Sequence, residues 1–197
     1  MVLDLFKNRV REYLKPLVLL VSGKGIKPNY VTFLSLVLAF FSAYFFYRSY
    51  LVVGAFFMSI SGILDVFDGL LARLNDLDTD FGDFLDHTID RTADSVILVG
   101  LIFSPVTSRL WGFLSLIGVL LTGYVGTQAE AIGFNRIYGG LFSRSDIFSI
   151  IFLAALLSSL FNGKIFGIFL MDWGLIILAL GSNFTAVQRA FLVWKKF

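Results

Sequence analysis

Apolar residues run almost unbroken along this chain, and short polar interruptions divide them into membrane-length segments. A helix needs about 20 mostly apolar residues to cross a bilayer. Six segments approach that length: 31–47, 51–73, 84–103, 110–132, 147–161 and 165–192. The second is apolar to Leu64 and continues at helical spacing through an acidic stretch to Arg73. The fifth is short, so it is expected to begin earlier or to tilt less. Ahead of them, Val2, Leu3, Leu5, Phe6, Val10, Tyr13, Leu14, Leu17 and Val18 fit one helical face, with Lys7, Arg9, Arg11 and Lys15 interleaved. A solvent-exposed helix fits that pattern by itself equally well. The membrane-length segments that follow favour a surface-lying amphipathic helix over residues 1–25. The predicted fold is all-α. A single polytopic membrane domain over residues 1–197 holds six transmembrane helices bundled over 29–192 and an N-terminal amphipathic juxtamembrane helix.

Composition strengthens this picture. The chain is 57% hydrophobic and 15% charged, with 23 Phe, whereas average chains carry about 25% charged residues. It has no cysteine, which excludes disulfides and thiolate metal sites. No cleavable signal peptide is expected, since mixed charges precede the first apolar run and no small-residue cleavage site follows it. With six spans both termini share a side, and the distribution of Lys and Arg decides which. Thirteen basic residues fall on or near the side of the termini; only Arg48, Arg109 and Lys164 fall opposite. The termini, and the loop near residues 74–81, are therefore expected in the cytoplasm, with the protein multi-pass in the plasma membrane.

That loop divides the most unusual window of the chain, residues 65–94, "DVFDGLLARLNDLDTDFGDFLDHTIDRTAD". It holds nine of the fourteen acidic residues. Asp65 and Asp68 are three apart and share a helix face; Asp83, Asp86, Asp90 and Asp94, spaced three, four and four, share another. Helices joined by so short a loop are expected to be neighbours, so the two acidic faces are expected to meet. A carboxylate at the centre of a membrane helix costs about 2.5–3.5 kcal/mol, and several facing each other repel. Arg73 and Arg91 are too few and too near helix ends to neutralise them. Oxygen-only ligands suit Mg²⁺, Mn²⁺ or Ca²⁺, and two such ions about 3.5–4 Å apart clamp both oxygens of a phosphoryl displacement. The same carboxylates would also suit a proton or cation pathway, as in a cation-coupled transporter. Asp76, Asp78 and Asp80 read as a solvated loop. His87, the only histidine, lies about 100° from the acidic face and reads as structural. Pairing with Arg91 is one reading of Asp94, and the roles of Asp83 and Asp94 stay undecided.

The arrangement Asp65-x2-Asp68-Gly69-x2-Ala72-Arg73-x8-Gly82-x3-Asp86-x3-Asp90 resembles the motif of the CDP-alcohol phosphotransferase family. Eight specified positions within 26 residues match without departure. A transporter has no need of Gly69, Ala72, Arg73 and Gly82 in this order, and no internal repeat is seen. The resemblance implies a membrane enzyme, commonly a homodimer, that joins a CDP-lipid to an acceptor alcohol and releases CMP. It implies a Mg²⁺ or Mn²⁺ pair on Asp65, Asp68 and Asp86, with Asp90 as ligand, general base or both. It further implies that Gly69, Ala72 and Gly82 let the nucleotide approach the helix backbones, and that Arg73 meets phosphate oxygens. "PNY" followed by Val31 and Thr32 resembles the family's Pro-Asn-x-x-Thr element, which puts Asn29 and Thr32 on the CDP-lipid side. A Pro-Asn helix start is also what an N-cap looks like.

The second half of the chain bears on the acceptor. Arg136 and Arg144 are read into the loop between the fourth and fifth spans, and Arg189 into the last helix. Guanidinium groups bind phosphate bidentately, so these three are expected to hold an acceptor phosphate; placement by the positive-inside rule would account for the first two as well. "VQR" at 187–189 and "AEA" at 129–131 resemble a branch of the family that uses inositol 1-phosphate. Bacterial members carry a phosphate-contacting lysine where this chain has Gly126, and "YVGTQA" and "YGGLFSRSD" resemble the archaeal members more closely. The expected donor is CDP-archaeol or CDP-diacylglycerol, and the expected acceptor 1L-myo-inositol 1-phosphate, with glycerol 3-phosphate as the alternative. No nucleic-acid partner is expected.

Overall fold

A computed structural model describes residues 12–21, 27–77, 79–134, 140–161 and 164–195. Helix α1 covers residues 12–21. The rest of the expected amphipathic segment, and Arg136, lie outside the described residues. Six longer helices follow: α2 Pro28–Tyr47, α3 Leu51–Leu74, α4 Asp80–Ile102, α5 Arg109–Ala131, α6 Arg144–Phe161 and α7 Leu170–Trp194. The all-α expectation needs one amendment. Residues expected to open the last span form a two-stranded antiparallel hairpin, β1 Lys164–Ile165 against β2 Ile168–Phe169. Its turn places Phe166 and Gly167 at φ of 53° and 78°, outside any helix.

Local chemistry explains the helix ends. Pro28 opens α2 at its first position, where a missing N–H costs nothing. Its N-cap is Lys27, with no side-chain cap, so Asn29 is not the cap its position suggested. Thr79 caps α4 by accepting a 3.0 Å bond from the Gly82 amide, and Asp80 and Asp83 favour the helix dipole there. A reciprocal capping box precedes α6: the Ser143 amide donates to Asp146 Oδ2 at 2.7 Å, and the Asp146 amide to Ser143 Oγ at 3.4 Å. The fifth predicted span therefore starts at Arg144, three residues before the apolar run begins, and Arg144 belongs to a helix, not to a loop.

Five helices, α2, α3, α5, α6 and α7, are long and apolar enough to cross a membrane. The remaining expected span, 84–103, corresponds to α4, which has the length, 23 residues, but carries Asp86, Asp90, Arg91 and Asp94 toward its N-terminal end. Large apolar side chains cover the outside of the molecule, among them Phe33, Phe40, Phe56, Phe113, Leu157 and Phe184. Such continuous apolar exposure fits a lipid environment.

The packing is a closed ring. Helix α2 packs on α3, α3 on α6, α6 on α7, α7 on α5, α5 on α4, and α4 back on α2. The consecutive helices α3 and α4 hardly touch, contrary to the expectation that they are direct neighbours. Helix α2 packs closely on both instead. At its contact with α4, a Cβ on Gly100 would stand 2.4 Å from the Ala43 carbonyl oxygen, so only glycine permits that approach. Small residues and interhelical hydrogen bonds hold such bundles where water is absent. Ser61 donates to the Ser35 carbonyl between α3 and α2, Ser115 to Leu175 and Thr122 to Ser182 between α5 and α7, each at 2.8 Å.

Candidate active site

Keeping α3 and α4 apart leaves a polar cavity of about 620 Å³ at one end of the ring. Asp65, Gly69 and Arg73 line it from α3; Asp86, His87, Asp90 and Arg91 line it from α4. Thr122, Gly123 and Gly126 face it from α5, Arg144 from α6 and Arg189 from α7. The loop before α6 closes one side. Its Phe142 amide donates to Thr185 Oγ1 at 3.1 Å.

Arg144 dominates the interior. One terminal nitrogen lies 3.0 Å from Asp65 Oδ2 and 2.5 Å from Asp90 Oδ1. Its Nε donates to Asp94 Oδ1 at 3.1 Å, and its guanidinium sits 5.2 Å from the centre of the Phe148 ring. It therefore ties α6 to acidic residues on both α3 and α4. Positive charge that the carboxylates demanded comes from a residue at least fifty positions further along. Arg189 is 9% exposed and donates to the Thr122 carbonyl at 2.8 Å, which points its guanidinium across the cavity floor toward α5.

Asp68 is different. It is 3% exposed, lies near enough to Asp65 and Asp86 to feel their charges, and has the Thr32 hydroxyl and the Gly69 amide nearby but no well-formed hydrogen bond to either carboxylate oxygen. The Thr32 hydroxyl lies within reach of both this carboxylate and the Pro28 carbonyl, at 3.2 Å from the latter, and has one proton to give. Buried polar atoms without partners are rare and call for an explanation. Buried carboxylate oxygens without a well-formed hydrogen bond, among other carboxylates of like charge, are the kind of donors that suit a hard divalent cation.

Among the described residues, the set whose ligand atoms all lie within 4.8 Å of one another is Asp86, His87 and Asp90; Asp65 and Asp68 of α3 are not part of it. The His87 ring sits 3.5 Å from Asp83 Oδ1 and 3.7 Å from Asp86 Oδ2, so it faces the cavity despite its position off the acidic stripe. Asp83 itself is exposed and engages His87. Asp94 is buried and engages both Arg91, at 3.4 Å, and Arg144.

Not every expected site residue reaches the cavity wall. Gly69 does, with an Arg73 terminal nitrogen 4.0 Å from where a Cβ would stand. Gly82 serves the α4 cap. Asn29, Thr32 and Ala72 belong to the neighbouring turns of α2 and α3. Three contributions were missed by sequence reasoning: His87 as a cavity residue, Arg144 as a second partner of Asp94 besides Arg91, and Gly123. A Cβ on Gly123 would lie 2.5 Å from an Arg91 terminal nitrogen, so this glycine makes room for that arginine. The Ser143-x-x-Asp146 signature was the readable signal for the placement of Arg144.

Comparison with known proteins bears on this geometry. Residues 26–187 match the family described as CDP-alcohol phosphatidyltransferase. The chain is 30% identical to archaetidylinositol phosphate synthase of Methanothermobacter thermautotrophicus over 194 residues, 98% of this chain and 95% of the relative. It superposes on the crystal structure of Mycobacterium tuberculosis phosphatidylinositol phosphate synthase with CDP-DAG bound, with a TM-score of 0.78, 26% identity, and coverage of 91% of this chain and 92% of the other. The same mycobacterial enzyme in complex with manganese and citrate matches with a TM-score of 0.78 and 27% identity, over 91% and 88% of the two chains.

Proposed function

The chain belongs to the CDP-alcohol phosphatidyltransferase family, and from that premise we propose that it transfers an archaetidyl-type group from a CDP-lipid to a hydroxyl of 1L-myo-inositol 1-phosphate, releasing CMP. The carrying observation is the convergence of Asp65, Asp86, Asp90, Arg144 and Arg189 on one polar cavity, with Asp68 buried beside it. Carboxylates alone would suit many cation sites. Carboxylates and guanidinium groups sharing the wall of a cavity of this size suit a substrate with two separate phosphate-bearing parts.

In this reading the acceptor hydroxyl oxygen attacks the lipid-bearing phosphorus. Its bond to the phosphorus forms as the bond from that phosphorus to the CMP oxygen breaks. Asp90 takes the hydroxyl proton, because an alcohol is a weak nucleophile at neutral pH and a positioned carboxylate raises its reactivity. Asp65, Asp68, Asp86 and Asp90 would hold Mg²⁺ or Mn²⁺ as a two-metal site, whose chemistry is to neutralise the pyrophosphate and stabilise the leaving CMP. Arg73 meets donor phosphate oxygens at the cavity mouth, and Gly69 leaves the nucleotide space against α3. Asn29, Thr32, Ala72 and Gly82 support the nucleotide side from adjacent turns. Arg144, Arg189 and Arg136 hold the acceptor phosphate. Gly126, on the cavity wall, contributes no charge, so the arginines carry that recognition without a lysine at that position.

The same proposal includes one membrane domain over residues 1–197, α4 as a sixth span, a cytoplasmic active site in the plasma membrane, and a homodimer. The membrane crossing of α4 is supported by its place in the ring between α2 and α5. There its acidic half faces the cavity and its distal half buries Ile97, Leu98, Leu101 and Ile102.

The test is release of CMP from CDP-archaeol and CDP-diacylglycerol with Mg²⁺ or Mn²⁺, comparing inositol 1-phosphate with free inositol, glycerol 3-phosphate and serine. Turnover with inositol 1-phosphate supports the reading. Turnover with glycerol 3-phosphate alone reassigns the acceptor, and folded protein that releases no CMP with any acceptor overturns the activity.

A further inference from the structure

We infer that Asp94 is a positioning residue, whose buried carboxylate fixes Arg144 so that the terminal nitrogens of the guanidinium face the acceptor phosphate. This rests on the proposed reaction and deepens it.

Asp94 lies one helical turn beyond Asp90, outside the eight motif positions, yet it is only 4% exposed. A buried carboxylate is retained only when it is paired, and its partners here are two arginines of the cavity wall. Oδ1 accepts from Arg144 Nε at 3.1 Å, and Oδ2 lies 3.4 Å from an Arg91 terminal nitrogen.

The contacts of Arg144 differ in kind. Its terminal nitrogen binds Asp65 and Asp90, the carboxylates that the proposed chemistry gives to cations and to the acceptor proton. Cations and Arg144 compete for those oxygens. The Nε bond to Asp94 is under no such competition. A guanidinium is a rigid planar fork with five N–H donors. Pinned at Nε, and covered on one face by Phe148, it keeps its place when the terminal nitrogens change partners. Those nitrogens then turn from carboxylate to phosphate without the side chain having to be reordered. Asp94 thus separates the anchoring of Arg144 from its exchangeable end, and reaches the substrate only through it.

The experiment is steady-state kinetics on the full chain, varying inositol 1-phosphate, CDP-lipid and Mn²⁺ in turn, for wild type, Asp94→Asn, Asp94→Glu, Arg144→Lys and the Asp94→Asn/Arg144→Lys double variant. Asp94→Asn should raise the acceptor KM tenfold or more, leave the CDP-lipid KM and the half-activating Mn²⁺ concentration within about threefold, and be partly rescued by Asp94→Glu. The double variant should be no worse than the poorer single one, since both changes remove the same anchored fork. Wild type that releases no CMP overturns the underlying reaction and this inference with it. An active wild type with an unchanged acceptor KM in Asp94→Asn overturns the inference alone, as does a dominant shift in Mn²⁺ dependence, which would make Asp94 a ligand. If the amide variant does not fold, Arg144→Lys still decides. It lacks an Nε donor, so an unchanged acceptor KM there overturns the inference equally.

Discussion

Replacing Asp68 by asparagine should move thermal stability in opposite directions with and without a divalent cation. Both Asp68 oxygens are buried without a well-formed hydrogen bond, and Asp65 and Asp86 lie close enough to repel them. An unsatisfied buried polar group costs about 1–3 kcal/mol. Asparagine keeps the shape, removes the charge, and offers its neighbours an N–H donor. A gain of about 1–2 kcal/mol follows, which in a chain of this length corresponds to a rise in Tm of about 2–8 °C. With Mn²⁺ at a hundred times its Kd, wild type should gain about 2.7 kcal/mol from binding, or about 5–11 °C, and the variant should lose most of that gain. The assay is thermal unfolding of purified protein in detergent, followed by tryptophan fluorescence, in chelator and again in Mn²⁺. A variant less stable than wild type in chelator, with an undiminished Mn²⁺ increment, would refute the reasoning. It would mean that the buried oxygens are satisfied by something other than a cation.

The other expectations concern single residues. Asp90→Asn should reduce turnover by about 100-fold or more while Mn²⁺ still raises Tm through the three remaining carboxylates; full activity in that variant would remove Asp90 as the base. Arg189→Ala should raise the acceptor KM by about tenfold or more, the loss of one charge-assisted bond, with a smaller effect on the CDP-lipid KM; equal effects would argue against contact with the acceptor. Gly100→Ala should destabilise the bundle by about 1–3 kcal/mol, as overpacked sites do, because its Cβ meets the Ala43 backbone and no movable side chain. A Tm within 1–2 °C of wild type would show that α2 and α4 separate more easily than their packing implies.

The parts legible in the sequence were those governed by local period. The spacing of Asp65 and Asp68, and of Asp86 and Asp90, placed these carboxylates on helix faces, and the helices are where the apolar runs put them. What escaped was set by partners distant in the chain. The short loop between α3 and α4 suggested that they pack together; α2 touches both and holds them apart, a role that no local pattern announces. His87 was assigned by its angle around an isolated helix, yet its ring is long enough to swing back toward Asp83 and Asp86. Arg144 was read as a loop residue because apolar periodicity begins only at Ile147. The polar capping box of Ser143 and Asp146 starts the helix earlier and so delivers the arginine to Asp65, Asp90 and Asp94. The hairpin at residues 164–169 was hidden because its residues are as apolar as those of a helix.

The ring also imposes an order in time. Chains are made from the N-terminus, so α2, α3 and α4 are complete before α6 and α7 exist. The three earliest long helices can already assemble through α2, which means that Asp65, Asp68, Asp86, Asp90 and Asp94 are brought together while α3 and α4 themselves supply only Arg73 and Arg91. The counter-charge arrives with Arg144 at the very start of α6, and Arg189 follows near the end of α7. The half-made protein is therefore an acidic, open arc, and the finished one a closed circle whose last-made helices carry the charge that balances the first.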